Sequence, residues 1–149
     1  MVDTAEYTIS TDRARLDRDL IHRFLSEEAY WSPGVSRDVV ERSIENSLCF
    51  GIYAQDGRQV GFARAVTDCA TFAWIADLFV LGEHRGRGLG KRLVETILSH
   101  PDLSSVRRVV LATADAHDLY SRYGFGPVKA VERFMVIEDD AARRACAGE

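Results

Sequence analysis

Only 3 of the 149 residues are proline and only 3 are cysteine. No run of about 18 apolar residues, the length that spans a bilayer, occurs anywhere. Each shortage excludes a class of protein. With 46% hydrophobic and 28% charged residues, so few prolines argue against a disordered or fibrous chain. Cys49, Cys69 and Cys146 are odd in number and widely spaced, with no CxxC pair or adjacent histidine cluster. That leaves no disulfide framework and no metal site, and fits a reducing compartment. The start "MVDTAEYTIS" has no basic segment leading into an apolar core, so a cytoplasmic protein without a membrane partner is expected. A formal charge of -4 gives no global attraction for nucleic acid, although a local basic patch can still bind phosphate. The expected partner is small. The length suits one core and not two. A single domain over residues 1–149 is expected, with its core at about 7–138 and a polar tail at 139–149.

Patterning supplies the elements. Tyr7 to Ser10 reads as a strand, and Leu16, Leu20, Ile21, Phe24 and Leu25 recur at helical spacing in a charged background. That helix should end near Tyr30, because "AYWSPGVS" brings Pro33 and Gly34 together, and Ser36 can cap a second helix through Val39, Val40 and Ile44. Leu48 to Ala54 is a strand, and Asp56-Gly57 suits a tight hairpin into a return strand from about Arg58 toward Asp68. A second hairpin near Cys69 to Thr71 leads into "FAWIADLFVL", whose continuous apolarity predicts a central strand covered on both faces. Leu89, Leu93, Val94, Ile97 and Leu98 form another helical face before Pro101. Val106 to Ala112 reads as a buried strand, Ala116 to Tyr123 as a short helix, and Val131 to Ile137 as a last strand. The tail "EDDAARRACAGE" is helical or frayed. The fold class is a mixed α/β domain in which hairpins precede a strand, helix, strand unit.

The stretch "EHRGRGLGKR" lies between the apolar strand and the third helix. It is not a Walker A loop, because three residues and not four separate Gly86 from Gly90, and Arg92 follows Lys91. Nor is it a dinucleotide fingerprint, since GxGxG replaces GxGxxG and most of the sheet precedes it. What fits is a turn whose glycines expose backbone amides at a helix N-terminus, where pyrophosphate is attracted, with Arg85, Arg87 and Lys91 adding mobile positive charge. A solvated basic turn that merely starts a helix is the competing reading.

In context, "DLFVLGEHRGRGLGKRLVETIL" resembles the signature of the GNAT superfamily of N-acetyltransferases: Gln or Arg, two residues, Gly, one residue, then Gly or Ala. Arg85, Gly88 and Gly90 fill it. Downstream, "ADAHDLYSRYGF" is similar to that family's second signature at Ala116, Leu119, Tyr120, Gly124 and Phe125. The resemblance extends over nearly the whole chain. It implies a central mixed sheet flanked by helices, with acetyl-CoA as co-substrate in a cleft where two parallel strands splay, here those ending at Val80 and Ala112. Backbone at Leu78, Phe79 and Val80 would hold the pantetheine arm. The amides of Arg85, Gly86, Arg87, Gly88, Leu89, Gly90 and Lys91 would take the pyrophosphate.

The resemblance also implies direct attack of a primary amine on the thioester, with Tyr120 as general acid, since a phenol of pKa about 10 is protonated at neutral pH. Tyr123 is the rival three positions on and is placed at the cofactor. Asp77, an acid inside "WIADLFV", is the candidate base. It could instead orient or bind a cationic amine, or hydrogen-bond to the neighbouring backbone. A water relay is the alternative to any dedicated base. The backbone N–H of Val80 would stabilise the oxyanion. Thr113 stands where members often carry asparagine, and its hydroxyl replaces only part of an amide's hydrogen bonding. Tyr30 and Trp31 resemble the position that shapes the acceptor pocket; a helix-end aromatic cluster is the other reading. Glu27, Glu28 and Asp68 are considered for steering a cationic amine. His22, His84, His100 and His117 lack metal spacing. A small-molecule or peptide amine is the expected acceptor, and an open sheet edge would allow a homodimer. A non-catalytic acyl-CoA sensor or interaction domain of the same fold is the rival class.

Overall fold

A computed structural model describes residues 6–138. The predicted polar tail, residues 139–149, therefore lies outside the described residues. Five strands form one sheet in the order β1-β2-β3-β4-β5: β1 (Thr8–Ser10), β2 (Leu48–Tyr53), β3 (Gln59–Thr67), β4 (Phe72–Val80) and β5 (Arg108–Val110). The first four are antiparallel neighbours, and β4 pairs with β5 in parallel. The turn at Asp56-Gly57 closes the β2–β3 hairpin with Gly57 at φ +90°, a conformation that glycine adopts without steric cost. In the next hairpin the Asp68 carboxylate accepts from the Ala70, Thr71 and Phe72 amides. The Thr71 hydroxyl and these amides hold its pKa well below the ordinary carboxylate range. Asp68 thus belongs to a turn at the end of β4 remote from Val80.

Two cores lie on opposite faces of the sheet. On one, Phe50, Ile52, Ala63, Ala65, Ala73 and Ile75 pack with Leu89, Leu93 and Ile97 of α3 (Leu89–Ser99). On the other, Cys49, Phe62 and Phe79 meet Ile21 of α1 (Arg18–Arg23), Phe24 and Leu25 just after it, and Val40 and Ile44 of α2 (Arg37–Glu45). Alternation along β2 and β3 produces this division, because successive side chains take opposite faces. Phe79 stacks on Phe24 at 3.9 Å and lies 6.0 Å from Phe62. Phe62 is fully buried, so Phe62→Ala should destabilise the fold by about 3–5 kcal/mol. Chemical denaturation would measure it, and a loss no larger than that of a surface change would show that this core is not as tightly packed as described.

Helix starts follow their caps. Ser36 accepts from the Val39 amide, as expected, and Asp17 accepts from the Leu20 amide to begin α1. The first helix is nevertheless not one α-helix reaching Tyr30. Its α-helical part ends at Arg23 and continues as a π-helical turn over Phe24–Glu28, closed by the Ala29 amide on the Phe24 carbonyl at 2.9 Å.

Three expectations for strands are corrected. β4 is not covered on both faces, since Phe72 and Trp74 are exposed on the face that α1 and α2 leave open at this end. The strand expected at Val106 to Ala112 pairs only over Arg108–Val110, half-buried at the edge of the sheet. Residues 131–137 form no strand: Val131–Arg133 is a single 3-10 turn following Ala130 at φ +54°. The apolar pattern of that segment suits a strand, but a strand also needs a partner's backbone, and within the described chain it meets none.

Candidate active site

The site begins where β4 and β5 part. Their parallel register runs Phe72 with Arg108, Ala73 with Val109 and Trp74 with Val110, and stops there. From Ile75 to Val80, β4 continues without β5 beside it. One face of this opening is set by a bulge. Phe62 of β3 opposes Phe79, whereas Arg64 opposes Ala76, so β4 holds one extra residue and Asp77 takes φ +56°. The extra residue shifts the alternation by one. Ala73 and Ile75 face α3 before it, and Leu78 and Val80 do so after it. Asp77 is thereby turned toward Arg64.

At the top of β4 the Leu81 amide donates to the Val60 carbonyl at 2.8 Å. Because hydrogen-bonded and non-bonded pairs alternate in an antiparallel ladder, Val80 directs its N–H and C=O away from β3, toward the β5 side. The Arg85 Nε donates to that carbonyl at 2.9 Å, which leaves the Val80 N–H facing the opening. The chain then makes a 3-10 turn at Gly82–His84 and enters α3 through Gly86 at φ +78° and Gly88 at φ +75°. Gly88 is the N-cap and supplies no side-chain cap, and the first turn of α3 borders a small cavity of about 170 Å³. Val80, His84, Arg85, Gly86, Leu89 and Gly90 are among its lining residues. Uncapped amides and the positive end of the helix dipole make this a candidate anion seat.

The basic side chains around it are more ordered than expected. Arg85 is anchored on Val80, and Arg87 donates to the Tyr7 hydroxyl at 2.9 Å. That hydroxyl also lies 2.9 Å from the His84 Nδ1, while Arg92 donates to the Tyr7 carbonyl. Tyr7, buried ahead of β1, therefore ties the turn to the sheet across some eighty residues of sequence. Of the three expected mobile cations, Lys91 alone keeps an exposed side chain with no such anchor among the described residues.

On the other lip, α4 (His117–Ser121) carries Tyr120, which is 8% exposed and meets Phe125 edge to face at 5.7 Å. Burial first, then the neighbouring Tyr30 and Asp115, push its phenol pKa up. Thr113 turns its hydroxyl to the start of α4, accepting from the Ala116 amide at 3.0 Å. Tyr123 points elsewhere. Its hydroxyl donates to Glu95 of α3 at 2.8 Å, a bond that raises its pKa. Leu119 approaches Gly90, so α3 and α4 meet beside the anion seat.

The loop between α1 and α2 bridges both lips. The Tyr30 hydroxyl accepts from the Ala114 amide beyond β5, at 3.1 Å. The Trp31 Nε1 donates to Asp77 of β4 at 2.9 Å, and the two rings sit edge to face at 5.1 Å. Both rings stay exposed, which favours a wall of a binding site over a core cluster. Asp77 is fully engaged, because its second oxygen pairs with the Arg64 Nε at 2.7 Å and Arg64 reaches the Ser47 hydroxyl at 3.2 Å. Arg64 and Tyr7 were not anticipated. The signal for Arg64 was present as the single charge inside "VGFARAV".

Among the described residues no group of three or more His, Cys, Asp or Glu side chains is arranged to hold a metal ion. None of the described helices is long and apolar enough to cross a membrane.

Known proteins share this fold. Residues 45–127 match the acetyltransferase (GNAT) domain. A candidate acetyltransferase of Gibberella zeae is 31% identical over 139 residues, which cover 78% of this chain and 77% of that protein. A crystal structure of a candidate GNAT acetyltransferase from Xanthomonas campestris pv. campestris superposes with a TM-score of 0.87 at 49% identity, covering 89% of this chain and 93% of that one. The fold is also that of a GNAT acetyltransferase from Elizabethkingia anophelis, whose structure has acetyl-CoA bound, with a TM-score of 0.61 at 15% identity and coverage of 83% and 78%. A mixed sheet that opens between β4 and β5 above a glycine turn, together with these matches, shows that the chain belongs to the GNAT acetyltransferase family.

Proposed function

We propose that the protein transfers the acetyl group of acetyl-CoA to a primary amine on a small molecule or peptide in the cytoplasm. The observation that carries this reading is the parting of β4 and β5 directly beside the uncapped glycine turn of α3. Pyrophosphate suits the turn, and an extended pantetheine arm suits the strand backbone that β5 leaves unpaired. The thioester then lies between the Val80 N–H and Tyr120.

The neutral amine attacks the thioester carbon, forming a C–N bond. The Val80 N–H stabilises the developing oxyanion. On collapse the C–S bond breaks, the Tyr120 phenol gives its proton to the departing thiolate, and the amine loses its proton to solvent. Solvent then reprotonates Tyr120, which balances the cycle. Asp77 serves this reading as a positioning residue. Taking a proton would cost it the Arg64 pair, whereas its bond to Trp31 holds the aromatic wall in place. Water carries the amine proton away.

The test is thiol release from acetyl-CoA across a panel of primary amines and lysine peptides. Amine-dependent release supports transfer, and acetyl-CoA binding without release from any acceptor favours the sensor. With an active amine in hand, Trp31→Ala should raise the KM for the amine about tenfold while the KM for acetyl-CoA stays within about twofold. Equal rises in both constants would remove Trp31 from the acceptor side.

A further inference from the structure

We propose that the His84 side chain is itself a ligand of the acetyl-CoA pyrophosphate, donating from its Nε2–H, and that Tyr7 is the positioning residue that holds the imidazole in the tautomer this requires. The proposal rests on the acetyl-CoA reading above and adds a side chain to the backbone amides of the glycine turn. His84 closes the 3-10 turn Gly82–His84 that leads from β4 into that turn. It is half-buried, and it borders the cavity of about 170 Å³ together with Gly86, Gly88 and the first residues of α3.

Hydrogen counting at the Tyr7 hydroxyl assigns the tautomer. Tyr7 is 3% exposed, and among the described residues its hydroxyl has two partners, Arg87 Nη1 and His84 Nδ1, each at 2.9 Å. A guanidinium only donates, so the hydroxyl oxygen accepts from Arg87. If Nδ1 also donated to that oxygen, the phenolic hydrogen would be buried with no acceptor, at the full desolvation cost of an unmet donor. The hydroxyl therefore donates to Nδ1. A neutral imidazole has one N–H, and with Nδ1 accepting, that hydrogen stands on Nε2.

Nothing within the described chain uses that hydrogen. The ring is held edge to face against Tyr7 at 5.7 Å, and the bond to Tyr7 is its one hydrogen bond among the described residues. With Nδ1 committed to Tyr7 and His84 on the cavity wall, Nε2–H is the donor the residue has left to offer there. The surroundings select an anion to accept it. Arg87 shares the Tyr7 hydroxyl, Arg92 of α3 donates to the Tyr7 carbonyl, and Arg85 donates to the Val80 carbonyl, so three guanidiniums are fixed around the turn. A pyrophosphate brings only acceptor oxygens, and a donor whose tautomer and ring plane are set beforehand loses little freedom on binding.

Calorimetric titration of acetyl-CoA into the parent chain, His84→Ala, His84→Asn and His84→Gln tests this, because the two amides imitate different nitrogens. The Asn amide stands near the place of Nδ1 and can keep the bond with Tyr7, whereas the Gln amide reaches the place of Nε2 and can keep the donor. His84→Ala and His84→Asn should lose at least about tenfold in affinity, and His84→Gln should stay within about threefold of the parent. Circular dichroism would verify that each variant folds. Nitrogen NMR of the parent imidazole at a pH of about 8, where a free imidazole is neutral, should find the hydrogen on Nε2, and inorganic pyrophosphate should shift that resonance. In Tyr7→Phe the hydrogen should divide between the two nitrogens. Rescue by Asn and not by Gln would make His84 a mere prop for Tyr7 and overturn the proposal. Equal affinity in all four chains, an equal loss in all three variants, a hydrogen on Nδ1 in the parent or a resonance unmoved by pyrophosphate would also overturn it. Each of these outcomes leaves acetyl-CoA binding by the parent intact, whereas a parent chain that binds none removes the proposal together with the reading beneath it.

Discussion

Tyr120→Phe should lower turnover at least tenfold while acetyl-CoA binds within about twofold of the parent chain, the pattern of a lost proton donor. The substitution removes one oxygen from a ring that stays packed against Phe125, so the fold and the anion seat are retained. Direction of titration strengthens the case. The phenol pKa is raised above its ordinary value by burial, so the donor stays protonated at neutral pH and somewhat beyond the ordinary phenol range. Rates should therefore climb on the basic side as the amine deprotonates, with the loss from Tyr120 displaced to more alkaline pH than for an ordinary phenol. The same shift favours the neutral phenol in the folded state. Its contribution to stability is present below the unfolded pKa and is lost as pH rises through the raised folded value. Tyr123→Phe is the control, since its hydroxyl is held by Glu95. A pair of variants with equal turnover would remove Tyr120 from proton transfer.

Gly88→Glu should abolish acetyl-CoA binding, with a loss of at least about a hundredfold. Two effects act together. A side chain at φ +75° costs about 1–2 kcal/mol of backbone strain, and the new carboxylate stands at the N-terminus of α3, where it competes for the amides that would take pyrophosphate. That competition also returns a few tenths of a kcal/mol to the helix, so the variant should fold. Nothing lies within 4 Å of an added Cβ at this position. Gly88→Ala thus separates the effects, because it keeps the strain without the charge and should lose far less affinity. Thermal unfolding read alongside titration would expose a variant that fails only by unfolding.

Local chemistry was legible in the sequence, and pairwise geometry was not. The Asp56-Gly57 hairpin, the Ser36 cap, the start of α3 at Leu89 and the glycine turn each depend on residues within one or two turns of chain. The bulge at Asp77 depends on how β3 opposes β4, and apolarity alone could not reveal it. The same holds for β5. Its apolar run promised a buried strand from Val106 to Ala112, but pairing ends where β4 diverges, and that divergence is the opening of the site. Asp77 illustrates the difference in chemical terms. An acid in an apolar strand suggested a base, whereas Arg64 and Trp31, at 13 and 46 residues' distance, occupy its oxygens. Tyr7 gave no local signal at all, because its partners His84 and Arg87 lie across the fold.

The central claim is that the turn from Arg85 to Lys91 seats the pyrophosphate of acetyl-CoA at the mouth between β4 and β5. Calorimetric titration of the purified chain with acetyl-CoA, beside ATP and NAD and repeated on Gly88→Glu, tests it most directly. The account predicts micromolar binding of acetyl-CoA, weaker binding of both nucleotides, and no binding to the variant. Absence of acetyl-CoA binding, or undiminished binding by Gly88→Glu, would contradict it and leave the turn as no more than the start of a helix.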